Sequence, residues 1–378
     1  MQSTRENKTP MTNWYEITNA DEVASPTLLL YPERIEANLR RLIEMAGDPA
    51  RLRPHVKTHK LPQIIAIKRR LGIDKFKVST IAEAEMTAEA GGRDILLAYP
   101  CIGPNVSRLV ELIQRFPQTR FASLVDNPAS LAELAAAATA GGVTIELLVD
   151  LNVGMDRTGI RPGDEAAALY RQLSQTAGLQ AGGLHAYDGH LRDTDYAALA
   201  KATEAAFAPV HRLVETLRSQ GLEVPKVVAG GTPTSSLLVA NVGTEVGAGT
   251  PVLWDFGQAE VSPDLDYLNA AVLLSRVISR PAEDRICLDL GYKAVAAEMP
   301  QPRVRWFGLE DAPVVMQSEE HLVLQTSQAD AFPVGRVMYG IPRHICPTVA
   351  LQSEVWSVRD GRAVERWPVV ARARRLTI

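Results

Sequence analysis

The sequence has few cysteines and no pairing pattern among them. Its 378 residues include three, Cys101, Cys287 and Cys346, and no two of them form a CxxC pair. A small, odd count argues against a disulfide framework. We therefore expect a protein of a reducing compartment, the cytoplasm.

Long apolar runs and long basic runs are also missing. No apolar stretch is long enough to cross a bilayer, and segment 1–25 lacks the apolar core of a signal peptide. The net charge is −4 and the basic residues are scattered. We expect neither a membrane nor a nucleic acid as a partner.

From residue 27 onward, short β-rich segments alternate with helical patterns. The segment TLLLY predicts a strand over 27–31, and Pro32 predicts the start of a helix. Eight further strands are predicted over 52–56, 75–79, 94–98, 120–125, 144–150, 183–187, 226–229 and 245–247. Helices are predicted between them over 81–90, 105–116, 129–139, 164–175 and 196–219. Eight repeats fit a closed parallel barrel, although an open doubly wound sheet fits the same alternation.

The pattern changes after about residue 265. Segments such as RICLDLG, RVMYGIP and EVWSVRD predict strands with turns between them and little helix. We assign 27–265 to the barrel and 266–378 to a mainly β domain. Whether the N-terminal segment, 1–26, and the strand at 27–31 join the β domain is left open.

Unusual polar residues cluster where the predicted barrel strands end, and active sites of such barrels lie at that face. They are His55, Lys57, Thr80, Asp150, Asn152, Arg157, His185, Tyr187, Asp188, His190, Gly230, Gly231, Thr232, Gly249 and Thr250. We therefore predict the functional site at the barrel mouth.

Lys57 and two glycine turns suggest a phosphorylated carbonyl cofactor. A lysine that points into a barrel loses water, which lowers its pKa and favours the amine that forms a Schiff base. The alternative is a solvated surface lysine. The turns GGT (230–232) and GAGT (247–250) offer backbone N–H groups and hydroxyls to a phosphate. A lysine with a phosphate cradle points to pyridoxal phosphate.

The segment RHICPT places His344 two residues before Cys346. On an extended segment both side chains project to one face, and imidazole with thiolate suits a divalent metal such as zinc. The alternative is a buried structural cysteine beside a histidine.

These motifs together resemble a known group of enzymes. RPHVKTHK, LVDLNVGMDRTGI, GLHAYDGH, AGGTPT, GAGTPV, SEEHL and PRHICPT follow the order seen in the D-threonine aldolase and D-serine dehydratase group. That group consists of fold-type III pyridoxal-phosphate enzymes and is related to the alanine racemase N-terminal domain. The resemblance implies a (β/α)8 TIM barrel with a mainly β domain. It also implies a homodimer in which the β domain of one subunit completes the partner's site.

The resemblance also implies roles for individual residues. Lys57 would be the Schiff-base lysine, Arg157 would face the pyridine nitrogen, and Tyr187 would lie by the cofactor. The phosphate would be held by Gly231, Thr232, Gly249 and Thr250. His344 and Cys346 would bind a divalent metal (zinc, manganese or magnesium) beside the substrate's β-hydroxyl. His59 would handle protons or orient the substrate.

The activity implied is that of a lyase acting on D-3-hydroxy amino acids. An aldolase yields glycine and an aldehyde, whereas a D-serine or D-3-hydroxyaspartate dehydratase yields a keto acid and ammonia. Asp188 stands where family aldolases often carry a histidine, so Asp188, His190, His185 and His59 are all candidate bases. The His-x-Cys pair is the dehydratase form, but the chain as a whole is more similar to the aldolases, and we favour the aldolase.

Two further hypotheses are disfavoured. An amino acid racemase would give no role to the His344 and Cys346 pair. A non-catalytic protein that binds pyridoxal phosphate would be a single-domain chain, without the additional β domain.

Overall fold

Two β-sheets organise the chain, one parallel and one largely antiparallel. The computed structural model describes residues 13–241 and 243–378. Of the predicted N-terminal segment, residues 1–12 lie outside the described residues. Strand β1 (Thr27–Leu30) and helix α1 (Pro32–Ala46) come first, and Pro32 starts the helix as predicted.

The parallel sheet follows in sequence order and is flanked by helices. Its strands are β2 (Lys75–Val78), β3 (Asp94–Pro100), β4 (Arg120–Val125), β5 (Ile145–Leu151), β6 (Leu179–Ala186), β7 (Val227–Ala229) and β8 (Thr244–Val246). The helices are α2 (Pro62–Arg70), α3 (Ile81–Glu89), α4 (Pro104–Arg115), α5 (Pro128–Gly141), α6 (Asp164–Gln175), α7 (Tyr196–Ser219), α8 (Ser235–Leu238) and α9 (Phe256–Val261). Each strand pairs with the next one along the chain.

An irregular segment closes this sheet into a barrel. The strand predicted over 52–56 does not form as a regular strand. Instead, Leu52 makes one parallel bridge with Val246 of β8, and His55 makes one with Lys77 of β2. Pro54 lacks the N–H group that a continuous ladder needs, and the chain turns into a 3-10 helix at Val56–Thr58. The segment therefore fills the eighth position, and the predicted barrel is confirmed.

The barrel strands are buried on both faces because helices cover the outside. All seven residues of β5 are buried, which is typical of parallel strands covered by helices. On α4 the buried side chains are Val106, Leu109, Val110 and Leu112, the spacing of one helix face. Burying each such side chain contributes about 1.5–3 kcal/mol.

The second sheet forms the predicted β domain. Its strands are β9 (Ala271–Ala282), β10 (Arg285–Leu288), β11 (Val304–Trp306), β12 (Val314–Gln317), β13 (Leu322–Gln325), β14 (Val337–Pro342), β15 (Glu354–Arg359) and β16 (Arg362–Pro368). Strand β1 pairs with β9 and with β15, so the N-terminal strand belongs to this sheet. Helix α10 (Ile345–Leu351) follows β14.

None of the helices in the described part of the chain is both long enough and apolar enough to span a membrane. The three cysteines are all free thiols, with Cys101 and Cys287 buried and Cys346 partly exposed.

Candidate active site

A pocket lies where the C-terminal ends of the barrel strands meet the β domain. The barrel contributes His55, Lys57, Thr58, Lys77, Tyr187, Gly189, Arg192, Gly231, Thr232, Gly247, Gly249 and Thr250 to its lining. Gly257, Gln258 and Val261 come from α9, and Met299, Arg343, His344 and Cys346 come from the β domain. The predicted location at the barrel mouth therefore coincides with this pocket.

Lys57 lies in the pocket because the chain turns there. The 3-10 helix Val56–Thr58 is capped by His55, whose Nδ1 accepts a hydrogen bond from the Lys57 N–H at 3.3 Å. His55 Nε2 lies 3.1 Å from the Ser79 hydroxyl, so both ring nitrogens of this histidine are engaged. Burial lowers the pKa of Lys57, and the neighbouring Cys346 opposes that change. The shift favours a neutral, nucleophilic amine, as predicted from the sequence.

Three cationic side chains surround the ring of Tyr187. The amines of Lys57 and Lys77 lie 5.7 and 5.3 Å from the ring centre, and the guanidinium carbon of Arg157 lies 4.8 Å from it. Cations favour the face of an aromatic ring, but basic groups this close oppose one another's charge, and, besides burial, Arg157 contributes to lowering the pKa of Lys57. An anionic ligand at this position would relieve that repulsion, which suits a phosphorylated cofactor.

The two glycine turns line the same pocket, after β7 and after β8. At Gly249, an added Cβ would lie 2.8 Å from the hydroxyl oxygen of Thr58 and 3.0 Å from Cβ of His55. Only glycine lets this backbone approach the lysine segment so closely. The Thr232 side chain is buried within the first turn.

Both carboxylate oxygens of Asp188 accept hydrogen bonds from the segment of the first glycine turn. One carboxylate oxygen accepts a hydrogen bond from the Gly231 N–H at 2.7 Å, and the other accepts one from the Thr234 hydroxyl at 2.5 Å. Burial raises the pKa of this carboxyl group against the effect of those hydrogen bonds. Among the described residues, Asp188 is not part of the pocket lining. Both carboxylate oxygens of Asp188 are thus engaged by the glycine turn, and its role as a general base stays a prediction.

His59 and His190 also lie away from the pocket. His59 is fully buried, with Nδ1 accepting from the Leu61 N–H at 3.1 Å and Nε2 lying 2.9 Å from the amine of Lys68 on α2. The 3-10 turn places Lys57 and His59 on different sides of the chain, although they are two residues apart. His190 is exposed and packs against Gly154, where an added Cβ would lie 2.9 Å from its Nε2.

His185, the remaining histidine among the candidate bases, is buried at the end of β6. Its Nδ1 lies 2.6 Å from a carboxylate oxygen of Asp150, while its Nε2 has no hydrogen-bond partner in the described part of the chain. It does not line the pocket as described. The carboxylate therefore holds this imidazole in place at the end of β6.

His344 and Cys346 both line the pocket, but not on an extended segment as predicted. Helix α10 begins at Ile345, so His344 is the residue that caps the helix and Cys346 lies in its first turn. The Cys346 thiol lies 3.4 Å from the Thr58 hydroxyl, which ties the β domain to the lysine segment.

The His344 imidazole contacts the Glu298 carboxylate through Nδ1. Burial opposes the charged form of His344, but hydrogen bonds to Cys346 and Glu298 outweigh it and raise the pKa to about 9. A carboxylate behind an imidazole is the arrangement that orients histidine ligands of metals. Within residues 13–241 and 243–378, however, no three His, Cys, Asp or Glu side chains are grouped as a metal site.

Sequence reasoning missed three cationic residues of the pocket, Lys77, Arg192 and Arg343. Arg343 is paired with Glu260 at 2.7 Å, whereas Arg192 donates to the Gly189 carbonyl at 2.9 Å. A signal existed for Lys77: in the strand KFKV, Phe76 and Val78 alternate with the lysines, so the lysines face the barrel interior.

Comparison with known proteins gives two family matches. Residues 31–250 match the model described as alanine racemase, N-terminal domain, and residues 270–358 match a putative serine dehydratase domain. The chain is 31% identical to a D-threonine aldolase of Arthrobacter sp. over 358 residues, 93% of each chain. It is 27% identical to a D-threo-3-hydroxyaspartate dehydratase of Delftia sp. (strain HT23) over 369 residues, 91% of this chain and 96% of the relative.

Solved structures show the same fold. A D-threonine aldolase from Filomicrobium marinum superimposes with a TM-score of 0.87 at 28% identity, covering 96% of this chain and 98% of that one. A D-threo-3-hydroxyaspartate dehydratase, described as a cysteine-to-alanine mutant in the metal-free form, gives a TM-score of 0.78 at 25% identity over 92% and 97% of the two chains. These named relatives are lyases, the enzyme class predicted from sequence. The chain belongs to the alanine racemase N-terminal domain family, in the group that contains D-threonine aldolase and the serine dehydratase-like enzymes.

Proposed function

We propose that this protein is a pyridoxal-phosphate-dependent lyase of D-3-hydroxy amino acids, and that its reaction is retro-aldol cleavage to glycine and an aldehyde. One observation carries the proposal: a single pocket brings together the Lys57 amine, two glycine turns and the His344–Cys346 pair. The substrate class is supported by the relatives with which the chain aligns over 91–93% of its length.

The residues present fit the cofactor. Lys57 offers the amine, and Gly231, Thr232, Gly249 and Thr250 offer N–H groups and hydroxyls to a phosphate. The cations around Tyr187 complement the phosphate's charge. When bound, pyridoxal phosphate supplies an electron sink for the pair of electrons released when a bond to the substrate's α-carbon breaks.

Lys57 is the group in this pocket best placed to move a proton. Its amine lines the pocket and burial lowers its pKa, so it would be able to accept and return a proton there. The other candidates are engaged elsewhere: Asp188 binds the glycine turn, and His59 binds Lys68. We therefore assign the proton transfers of the reaction to Lys57.

A divalent metal would be held by His344 and Cys346, with Glu298 orienting the imidazole. Imidazole and thiolate form a donor set that suits a borderline-soft ion such as zinc. A solved dehydratase relative is described as a cysteine-to-alanine mutant in the metal-free form, which is in keeping with a cysteine ligand. Bound there, the ion would act as a Lewis acid that lowers the pKa of a hydroxyl group.

The second candidate is a dehydratase acting on D-serine or D-3-hydroxyaspartate. It is favoured by the thiol at position 346, since the His-x-Cys pair is the dehydratase form in the group that this chain resembles. The same pocket serves both reactions, because the outcome depends on which bond to the α-carbon or β-carbon breaks. The aldolase is preferred because of the likeness to D-threonine aldolases over 93–96% of the chain.

A homodimer and a cytoplasmic location are part of the proposal. The first is an analogy with the group, and the second is supported by the three free thiols. This chain's own β domain already supplies His344 and Cys346 to the pocket, so a partner subunit would add to a partly complete site.

Product analysis tests the proposal. The protein is incubated with pyridoxal phosphate, Mn²⁺ and either D-threonine or D-serine, and glycine with acetaldehyde is measured against keto acid with ammonia. We expect glycine and acetaldehyde, lost in Lys57→Ala and diminished by a chelator, but retained in Lys68→Ala, a buried lysine outside the pocket. Formation of keto acid and ammonia from both substrates would show that the protein is a dehydratase and not an aldolase.

A further inference from the structure

Arg192 lines the pocket from the loop that follows β6. Its Nε donates a hydrogen bond to the Gly189 carbonyl at 2.9 Å, which anchors the guanidinium at the edge of the pocket. Within residues 13–241 and 243–378, its two terminal nitrogens make no hydrogen bond or ion pair. A guanidinium that is anchored at Nε and free at both terminal nitrogens can bind a planar anion, such as a carboxylate, through two parallel hydrogen bonds.

The other lysines and arginines in the pocket lining are engaged or enclosed. Lys57 is the amine proposed to hold the cofactor. Lys77 is 3% exposed and lies inside the barrel. The Arg343 guanidinium is paired with Glu260 at 2.7 Å, which offsets its charge. Among the lining residues that the structure describes, Arg192 therefore combines an exposed position with unused hydrogen-bond donors.

Arg192 and the first glycine turn are on opposite edges of the Tyr187 ring. An added Cβ at Gly189 would lie 2.4 Å from Cε1 of this ring, whereas one at Gly231 would lie 3.6 Å from Cε2. The guanidinium bound to the Gly189 carbonyl is therefore at the edge away from Gly231. The second glycine turn follows β8, which β7 separates from β6. Arg192 thus lies apart from both turns that we propose for the cofactor's phosphate.

We infer that Arg192 binds the α-carboxylate of the substrate amino acid. The inference rests on the proposed function, because that function supplies a substrate whose amine joins the cofactor and whose carboxylate needs a cation. No Asp or Glu lines the pocket in the described part of the chain, so the carboxylate meets no other carboxylate there. An exposed residue at the pocket edge also suits a group that enters and leaves in every turnover, whereas the cofactor stays bound.

Binding of the carboxylate has a consequence for the reaction. Arg192 belongs to the barrel, whereas His344 and Cys346, which we propose for the metal beside the β-hydroxyl, belong to the β domain. The amine, the carboxylate and the β-hydroxyl of the substrate would thus be held by three different parts of the pocket. Three fixed points determine which bond to the α-carbon is placed for cleavage.

The inference is tested with two compounds that differ at the carboxylate. D-alanine has the amine and the carboxylate but no β-hydroxyl, and D-alaninol carries a hydroxymethyl group in place of the carboxylate. The Kd of each for the cofactor-loaded protein is measured from the change in visible absorbance. The wild-type protein should bind D-alanine about tenfold more tightly than D-alaninol. Arg192→Met should bind both alike, and Arg161→Met, an exposed arginine outside the pocket lining, should keep the preference.

The possible failures can be told apart. An equal preference for D-alanine in wild type and Arg192→Met would overturn the inference and leave the cofactor in place. A preference lost in Arg343→Met and kept in Arg192→Met would give the carboxylate to Arg343. A wild-type protein that takes up no cofactor, or whose absorbance changes with neither compound, would overturn the proposed function as well.

The Kd of pyridoxal phosphate distinguishes the substrate's carboxylate from the cofactor's phosphate as the ligand of Arg192. We expect this Kd to change less than about twofold in Arg192→Met, because the guanidinium lies apart from the two glycine turns. Cofactor binding weakened about tenfold, with an unchanged ratio of the two Kd values for D-alanine and D-alaninol, would place the guanidinium on the phosphate and contradict the inference.

Discussion

The carboxylate of Asp188 accepts the hydroxyl hydrogen of Thr234 at 2.5 Å, and its second oxygen accepts the N–H of Gly231 at 2.7 Å. Thr234 and Gly231 both belong to the segment that follows β7, where the first glycine turn faces the pocket. Asp188 therefore shapes the turn that we propose for the cofactor's phosphate.

From this geometry, Asp188→Asn should weaken the binding of pyridoxal phosphate about tenfold, because an amide cannot accept both hydrogen bonds equally. Turnover at saturating cofactor should change less than about threefold, since the carboxylate takes no proton from the substrate in this account. Cofactor titration by visible absorbance, followed by steady-state kinetics, measures both. A 10²–10⁴-fold loss of kcat at saturating cofactor, the usual effect of removing a general base, would restore Asp188 to that role.

The metal proposal is tested with two cysteines. Cys346 lines the pocket, whereas Cys101 is buried elsewhere and accepts from the Ser123 hydroxyl at 3.4 Å. Loss of a direct ligand should weaken Mn²⁺ or Zn²⁺ binding at least as much as the 10–100-fold typical of outer-sphere partners. Calorimetric titration should show this loss in Cys346→Ala and not in Cys101→Ala. An unchanged metal affinity in Cys346→Ala would show that the thiol does not bind the metal.

Lys68 gives a prediction about pH and stability. Burial lowers the pKa of Lys68 in the folded protein to about 7, while the unfolded chain keeps the ordinary value of about 10.4. Between these values the unfolded state binds more protons, so the free energy of unfolding rises with pH across that window. If the unfolded state binds one proton more than the folded state, the free energy of unfolding rises by at most about 1.4 kcal/mol per pH unit.

Lys68→Met should therefore flatten the rise in melting temperature between pH 7 and pH 10 in the cofactor-free protein. The exposed residue Lys201 provides the control, and Lys201→Met should leave the profile as it is in the wild type. Thermal unfolding followed by circular dichroism measures the three profiles. Parallel profiles for wild type and Lys68→Met would mean that Lys68 keeps an ordinary pKa when folded.

Much of the fold could be predicted from periodicity. The strand at Arg120–Val125 and the helices Asp164–Gln175 and Tyr196–Ser219 have the predicted bounds. The errors arose where one residue changes the backbone locally. Pro54 breaks the predicted first barrel strand into single bridges, and His344 caps a helix where an extended segment was predicted. Local patterns do not show which strand end will turn into a helix.

The location of the site could be predicted from the sequence, but the orientations of its side chains could not. Strand ends identified the region of Lys57, Tyr187 and the glycine turns. The direction of each histidine depends on turns that the spacing does not reveal, so His59 was placed near the cofactor although it faces Lys68. Lys77 was missed although its alternation with Phe76 and Val78 in the strand KFKV indicates that it faces the barrel interior.

The most direct test of the account asks which amine holds the cofactor. The protein is saturated with pyridoxal phosphate, the bond between cofactor and lysine is reduced with borohydride, and the modified peptide is identified by mass spectrometry. We expect the pyridoxyl group on Lys57 and none on Lys77, the other lysine of the same pocket. A pyridoxyl group on Lys77, or an unmodified Lys57 in a protein that has bound the cofactor, would contradict it.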